Sequence, residues 1–223
     1  MRTFIKKLFP FYKGYHRLYH SGQEITYKDY FLRRIMFPGR WKTYWNTHSP
    51  CTVQMPKRLY IGKNSKVMRD YNFFQCSGGI YIGNYVRFAT RVSLLTSNHD
   101  LYDHRISHRK PIKIGDYSWL GMHSTLLAGV EIGPRTIVAN GAVVTKSFPE
   151  GMCVLAGIPA KVVKYLDANK FMPWKNKEEY YGFISAEEFE SQPQRIIDKY
   201  LDKEIFSVVN GKIEITPKYL SEE

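Results

Sequence analysis

Between Ile61 and Val163 the apolar residues recur in sixes. Ile61, Val67, Phe73, Ile82, Phe88, Leu94, Ile114, Leu120, Leu126, Ile132, Val138 and Val144 each open a hexad. The next position is usually small: Gly62, Gly83, Ala89, Gly115, Gly121, Gly133 and Ala139. The fifth is small or β-branched: Ser65, Ser77, Val86, Val92, Ser118, Ser124, Val130, Thr136 and Ala142. A helix repeats every 3.6 residues and a plain strand every 2, so neither produces this period. A coil of short strands joined by tight corners does. Each hexad forms one flat side, three sides close a turn, and turns stack into a parallel β-solenoid. The opening aliphatic then points into a narrow core. The small residue after it leaves room at the corner, where glycine also tolerates φ > 0. The fifth position points inward too and stays small because the core is thin. The pattern breaks briefly at Gly78–Tyr81 and at length over Asp100–Lys113, directly after His99. The long segment must leave the coil as a loop, and loops on rigid scaffolds tend to carry function.

The flanks follow other rules. In residues 1–58, Pro10 and Gly14 break a basic, aromatic segment. Thr26 to Phe37 has a helical apolar spacing stopped by Pro38-Gly39, and Pro50 and Pro56 punctuate an irregular stretch. A solenoid exposes core and strand edges at its ends, so residues 1–58 are expected to cap residues 59–164. Residues 165–223 form an appendage expected to pack on the solenoid or on a neighbouring subunit. In it Ser185-Ala-Glu-Glu188 reads as a capping box, Pro193 opens a second helix to about Tyr200, and Phe206–Ile215 reads as a hairpin turning at Asn210-Gly211.

Charge separates the N-terminal region from the rest. Residues 1–58 hold twelve Lys and Arg against Glu24 and Asp29, a net +10 of the chain's +13. Aromatics interleave with these charges. The pattern reads as a solubilising face over an aromatic cap; a membrane-proximal surface for an anionic partner is the alternative. No helix-turn-helix, zinc-finger or RNA-binding signature accompanies the charge, which argues against nucleic acid. Cys51, Cys76 and Cys153 are scattered and odd in number, as expected of reduced thiols in a cytoplasm. No apolar run reaches membrane-spanning length, and the basic N-terminus lacks the apolar core of a signal peptide.

Five motifs in order carry a resemblance: Ile82-Gly-Asn-Tyr-Val-Arg-Phe-Ala, Thr96-Ser-Asn-His-Asp100, Lys110-Pro-Ile-Lys-Ile-Gly-Asp-Tyr-Ser-Trp-Leu-Gly121, Val138-Ala-Asn-Gly-Ala-Val-Val-Thr-Lys146 and Ala156-Gly-Ile-Pro-Ala-Lys-Val-Val-Lys164. Over about residues 60–165 the chain resembles the hexapeptide-repeat acyltransferases, most closely the maltose, galactoside and bacterial polysaccharide O-acetyltransferases. The resemblance implies a left-handed parallel β-helix, against the right-handed habit of parallel crossovers. It also implies a homotrimer with active sites between solenoids, and acetyl-CoA as donor without a metal. His99 matches the family's catalytic histidine; an imidazole titrates near neutrality and can take a proton from a sugar hydroxyl. Asp100, beside it, is a candidate to orient the ring or meet the acceptor.

The resemblance assigns the donor site to Trp119, Met122, Asn140, Thr145, Lys146, Lys161 and Lys164. An indole packs the pantetheine arm, and cations with backbone N–H groups hold the phosphates. At Met122 and Asn140 relatives often carry small residues, so only backbone contacts transfer. The acceptor site falls to Asp70, Asn72 and Gln75 near the Gly78-Gly79 break. The long N-terminal region favours a longer or lipid-linked glycan over a simple sugar. Three rivals accompany this reading: an amine acceptor, as in sugar or antibiotic N-acetyltransferases; a glycan-binding trimer without catalysis; and a zinc enzyme like the γ-type carbonic anhydrases, using histidines among His99, His104, His108 and His123.

Overall fold

The structure, a computed structural model, describes residues 51–67, 71–172, 179–181 and 184–216. The expected helix Thr26–Phe37 and all of the cap before Cys51 lie outside these residues.

The hexads close into a left-handed parallel β-helix of about five turns. Its first face stacks Thr52–Gln54, Phe73–Gln75, Ser93–Leu95, Thr125–Leu126 and Val143–Val144. The second stacks Leu59–Ile61, Ile80–Ile82, Ile112–Ile114 and Glu131–Ile132. The third stacks Arg87–Phe88, Trp119–Leu120, Ile137–Val138 and Cys153–Gly157, and Ala160–Tyr165 folds back antiparallel onto the last of these. Hexad openers meet in register, Leu94 on Leu126 on Val144 and Phe88 on Leu120 on Val138. All but Ile61 and Phe73 are buried in one continuous core. Each such aliphatic contributes about 1.5–3 kcal/mol of burial, so the stack supplies the stability of the coil. Fifth-position hydroxyls bond from coil to coil: Ser65 Oγ donates to the Gly83 carbonyl at 2.7 Å and accepts from the Val86 N–H at 2.9 Å.

Two expectations are corrected. Phe73 does not face inward; Phe74 does, fully buried and paired with Leu94. The spacing from Val67 to the inward aromatic is seven, so this coil holds one extra residue. Of the two reasons expected for the glycines after hexad openers, the need for room holds and the left-handed backbone does not. A Cβ on Gly62 would sit 2.5 Å from the Gly83 main chain, and one on Gly115 would sit 2.5 Å from the Gly133 carbonyl carbon. Close approach of successive coils excludes a side chain there. The left-handed backbone falls instead on Asn64, Tyr85, Tyr117 and Arg135, φ 55–59°. These form a column at the corner between the second and third faces. Tyr85 stacks on Tyr117 at 4.9 Å, and Arg135 lies over Tyr117 at 4.7 Å. Such contacts offset the steric cost of the left-handed region, about 1–2 kcal/mol per residue.

The long excursion is a β-hairpin. Ser97–His99 pairs antiparallel with Ser107–Arg109, and the solenoid resumes at the fully buried Ile112. The extruded segment therefore starts two residues before His99 and ends before Ile112, because Ile112 already stacks on Ile80.

In the appendage, helices α1 (Ala186–Glu190) and α2 (Pro193–Tyr200) precede the hairpin Phe206–Val209/Lys212–Ile215. Asn210 (φ 50°) and Gly211 (φ 76°) make the two-residue turn, both left-handed as a type I′ turn requires. Ile196, Ile197, Ile205, Phe206, Ile213 and Ile215 form a second core with Tyr60, and Tyr81 packs against it. The appendage thus covers the N-terminal half of the second face, clamped by Arg58 Nε on Asp202 at 2.8 Å and Lys63 Nζ on Glu179 at 2.8 Å.

Candidate active site

The hairpin is rooted at Thr96, a fully buried corner residue. Its Oγ1 donates to the Gln75 carbonyl at 2.6 Å and accepts the Gly78 N–H at 2.8 Å. Its carbonyl accepts the Lys110 N–H at 3.0 Å, closing the neck. Gly78 must lack a side chain because a Cβ would lie 2.7 Å from the carbonyl oxygens of both Thr96 and Lys110.

His99 stands exposed at the end of the outgoing strand. Its Nδ1 lies 2.6 Å from the His104 carbonyl. A carbonyl only accepts, so Nδ1 is the donor of this bond, and in the neutral form of the ring Nε2 is then the nitrogen with the free lone pair. Asp100 does not touch that ring. Its Oδ1 accepts the N–H groups of Tyr102 and Asp103 at 2.8 and 3.0 Å, and its Oδ2 lies 3.0 Å from His108 Nε2. The bond from His108, then those from the two backbone amides, lowers the Asp100 carboxyl from 3.8 to about 2.

The expected acceptor residues divide. Asp70 lies outside the described residues. Asn72 is buried with both ends of its amide committed, Nδ2 to the Val67 carbonyl and Oδ1 to the Val92 N–H, each at 2.8 Å. It ties two coils together and presents nothing to a ligand. Gln75 braces the hairpin root: Oε1 accepts the N–H groups of Thr96 and Ser97 at 3.0 Å, and Nε2 donates to Ser97 Oγ.

The expected donor residues fall on two sides of the prism. Register places Arg87, Trp119, Ile137, Val154 and Lys164 in one outward row on the third face, with Lys161 opposite Ala156 on the same sheet. The indole of Trp119 is 52% exposed. Thr145 and Lys146 are exposed at the other side, where the first face turns into the second, two coils beyond the hairpin root. Met122 and Asn140 engage each other: Asn140 Oδ1 takes the Met122 N–H at 2.8 Å, and the Met122 carbonyl accepts from Gly141. The backbone donor expected of Met122 is therefore already occupied. One chain brings His99, Thr145 and Lys146 to one edge and Trp119, Lys161 and Lys164 to another face. The sequence places Thr96 in a motif, Gly78 at a break and His104 among possible zinc ligands, but gives none of them a part in holding the hairpin or the His99 ring, because those contributions are main-chain geometry or a corner hydroxyl. Among the described residues no group of His, Cys, Asp and Glu is arranged to hold a metal ion, and no helix is long and apolar enough to cross a membrane.

Residues 111–146 match a family model described as bacterial transferase hexapeptide (six repeats). The galactoside O-acetyltransferase of Escherichia coli K12 is 28% identical over 119 residues, 52% of this chain and 55% of that protein. Its namesake in Lactococcus lactis is 31% identical over 96 residues, 41% and 46% of the two chains. The chain thus spans about half the length of these curated relatives. A solved hexapeptide-repeat acetyltransferase of Vibrio cholerae shares 27% identity at a TM-score of 0.50, covering 70% of this chain and 90% of that one. A galactoside acetyltransferase solved with coenzyme A has a TM-score of 0.54 at 20% identity, over 78% and 85%, a likeness of fold. The solenoid of this chain is a hexapeptide-repeat β-helix of the kind that galactoside acetyltransferases carry.

Proposed function

We propose that this chain is an acetyl-CoA-dependent O-acetyltransferase acting on a sugar or glycan hydroxyl, with His99 as general base. The observation that carries the reading is the exposed His99 ring, whose Nδ1 lies 2.6 Å from the His104 carbonyl, a contact that leaves Nε2 as the nitrogen available to an acceptor. His99 Nε2 accepts the hydroxyl proton as the acceptor oxygen attacks the thioester carbonyl. The C–S bond then breaks, and His99 returns its proton to the departing sulfur. Trp119 Nε1–H is a side-chain donor suited to the charge developing on the carbonyl oxygen.

Acetyl-CoA fits the residues present. An exposed indole suits a pantetheine arm, and Lys161 and Lys164 supply cations for phosphates on the same sheet. Solved proteins of this fold bind acetyl-CoA or CoA. The separation of His99 from Trp119 supports assembly as a homotrimer, in which the third face of one copy meets the hairpin edge of the next. The +13 charge suits an acidic or lipid-linked glycan held near a membrane surface.

The test is free-thiol release from acetyl-CoA against oligosaccharides, lipid-linked glycans and amino sugars. Turnover with a hydroxyl acceptor, lost by about 10²–10⁴-fold in His99→Ala with donor binding kept, is the expected result. Full activity in that variant would end the mechanism. Turnover with amino sugars alone would move the chain to N-acetylation.

A further inference from the structure

Seven residues, 100–106, separate the end of one hairpin strand at His99 from the start of the other at Ser107, and this loop supplies the group that orients His99. That group is the main-chain carbonyl of His104, which belongs to the loop itself. Asp100 sets the loop's shape. Its backbone N–H donates to the Ile106 carbonyl at 3.0 Å, and its Oδ1 gathers the Tyr102 and Asp103 amides. Asp103 in turn holds Arg105 through its backbone N–H and both sides of its guanidinium. Asp100 Oδ2 is bonded across the hairpin to His108 Nε2, and His108 faces Asn98 in the strand register. His108 belongs to the returning strand, so this bond ties the turn to both strands at once. The loop is otherwise exposed: Leu101 and Tyr102 are 83% and 96% accessible, and no apolar packing holds it down.

We propose that His108 is a positioning residue for His99, acting through Asp100 on loop 100–106 and through the His104 carbonyl on the Nδ1–H of the catalytic ring. His108 never meets the reacting atoms. It donates one hydrogen bond, and the information that bond carries is where a carbonyl two residues before Ile106 lies. The low ionisation range of Asp100 agrees with a carboxylate that accepts three donors at once. The proposal rests on the acyl-transfer reading for its consequence in turnover, and on geometry alone for its consequence in the ring.

Its test has two arms. With ¹⁵N-labelled histidine, the wild-type protein should show His99, assigned by its loss in His99→Gln, as the Nδ1–H tautomer. His108→Ala should convert it to a mixture containing Nε2–H, and His108→Gln, which still has an N–H for Asp100, should restore it. In the thiol-release assay His108→Ala should lose about 10- to 100-fold in kcat, as a displaced base does, while KM for acetyl-CoA stays within about twofold. His108→Gln should recover most of kcat. An unchanged His99 tautomer in His108→Ala overturns the proposal, and so does a Gln variant as impaired as the Ala variant. The spectra need no acceptor, so they decide the positioning role even if His99→Gln turns over normally, a result that would count against acyl transfer by His99 itself.

Discussion

Thr96→Val changes one buried hydroxyl to a methyl and leaves shape almost untouched. The hydroxyl makes two short bonds, to the Gln75 carbonyl at 2.6 Å and from the Gly78 N–H at 2.8 Å. Valine strands the Gly78 N–H in the interior, at a cost of about 1–3 kcal/mol. The Gln75 carbonyl loses less, since it still faces the Thr96 N–H at 3.3 Å. Thr96→Ser keeps the hydroxyl and removes only a methyl, for about 0.5–1.5 kcal/mol. Urea unfolding at matched protein concentration reads the difference as a shift in midpoint at constant slope. Valine should therefore be the more damaging of the two, although it preserves more apolar volume. The same substitution loosens the neck that carries His99, so kcat should fall in Thr96→Val while KM for acetyl-CoA holds. A valine variant that unfolds at or above the serine variant's midpoint would show that packing, and not the corner hydroxyl, fixes the hairpin root.

Gly115→Ala places a Cβ 2.4 Å from Pro134 N and 2.5 Å from the Gly133 carbon, so it should destabilise by about 1–3 kcal/mol or more; Gly141→Ala, at φ +71° with open space around it, should cost only the left-handed backbone term of about 1–2 kcal/mol. Thermal melts of the pair rank close approach against conformational freedom. Lys161→Ala with Lys164→Ala should raise KM for acetyl-CoA and leave its kcat within about threefold, because lysine holds a phosphate as a point charge away from the reacting carbonyl. Asp100 has a folded-state value below the ordinary one, so its support of the hairpin is whole above pH 3.8 and is lost as pH falls through about 2. Its carboxyl carbon signal should titrate with a midpoint near 2, and a midpoint near 3.8 would show that the His108 bond does not persist in solution.

The hexad was legible because it is a packing condition. A thin core admits one large aliphatic and one small residue per side, so the period itself names the inward positions, and Leu94, Leu120, Leu126, Val138 and Val144 follow without error. Phe73 was misread because a coil of seven keeps its aromatic pair adjacent, and alternation alone does not say which ring turns in. The Asn210-Gly211 turn and the start of α2 at Pro193 were legible for a different reason: local backbone preference settles them within a few residues. Asn72 shows the opposite case. A polar residue at a corner looks the same in sequence whether it binds a sugar or bridges two coils, and only the positions of Val67 and Val92 decide. The orientation of His99 was hidden more deeply, since every residue has a carbonyl and the one at His104 matters only through the loop that aims it.

The distribution of residues over the three faces bears on assembly. Tyr60 and Tyr81 give the N-terminal half of the second face to the chain's own appendage, and further along Lys113 pairs with Glu131 at 3.3 Å. Among the described residues the first and third faces carry no such cover. The third face presents Arg87, Trp119, Ile137, Val154 and Lys164 in one row, so a half-exposed indole and two aliphatics lie between two cations. The hairpin, by contrast, springs from the edge that the third face does not share. A single prism cannot fold one of its sides onto the opposite edge, because the aliphatic core that holds the sides apart is packed throughout. If one acetyl donor is to touch both the indole row and the His99 ring, the two must come from different copies of the chain. On the proposed reading, the rigid stacking that makes each monomer stable would also leave its site to be completed by a neighbouring copy.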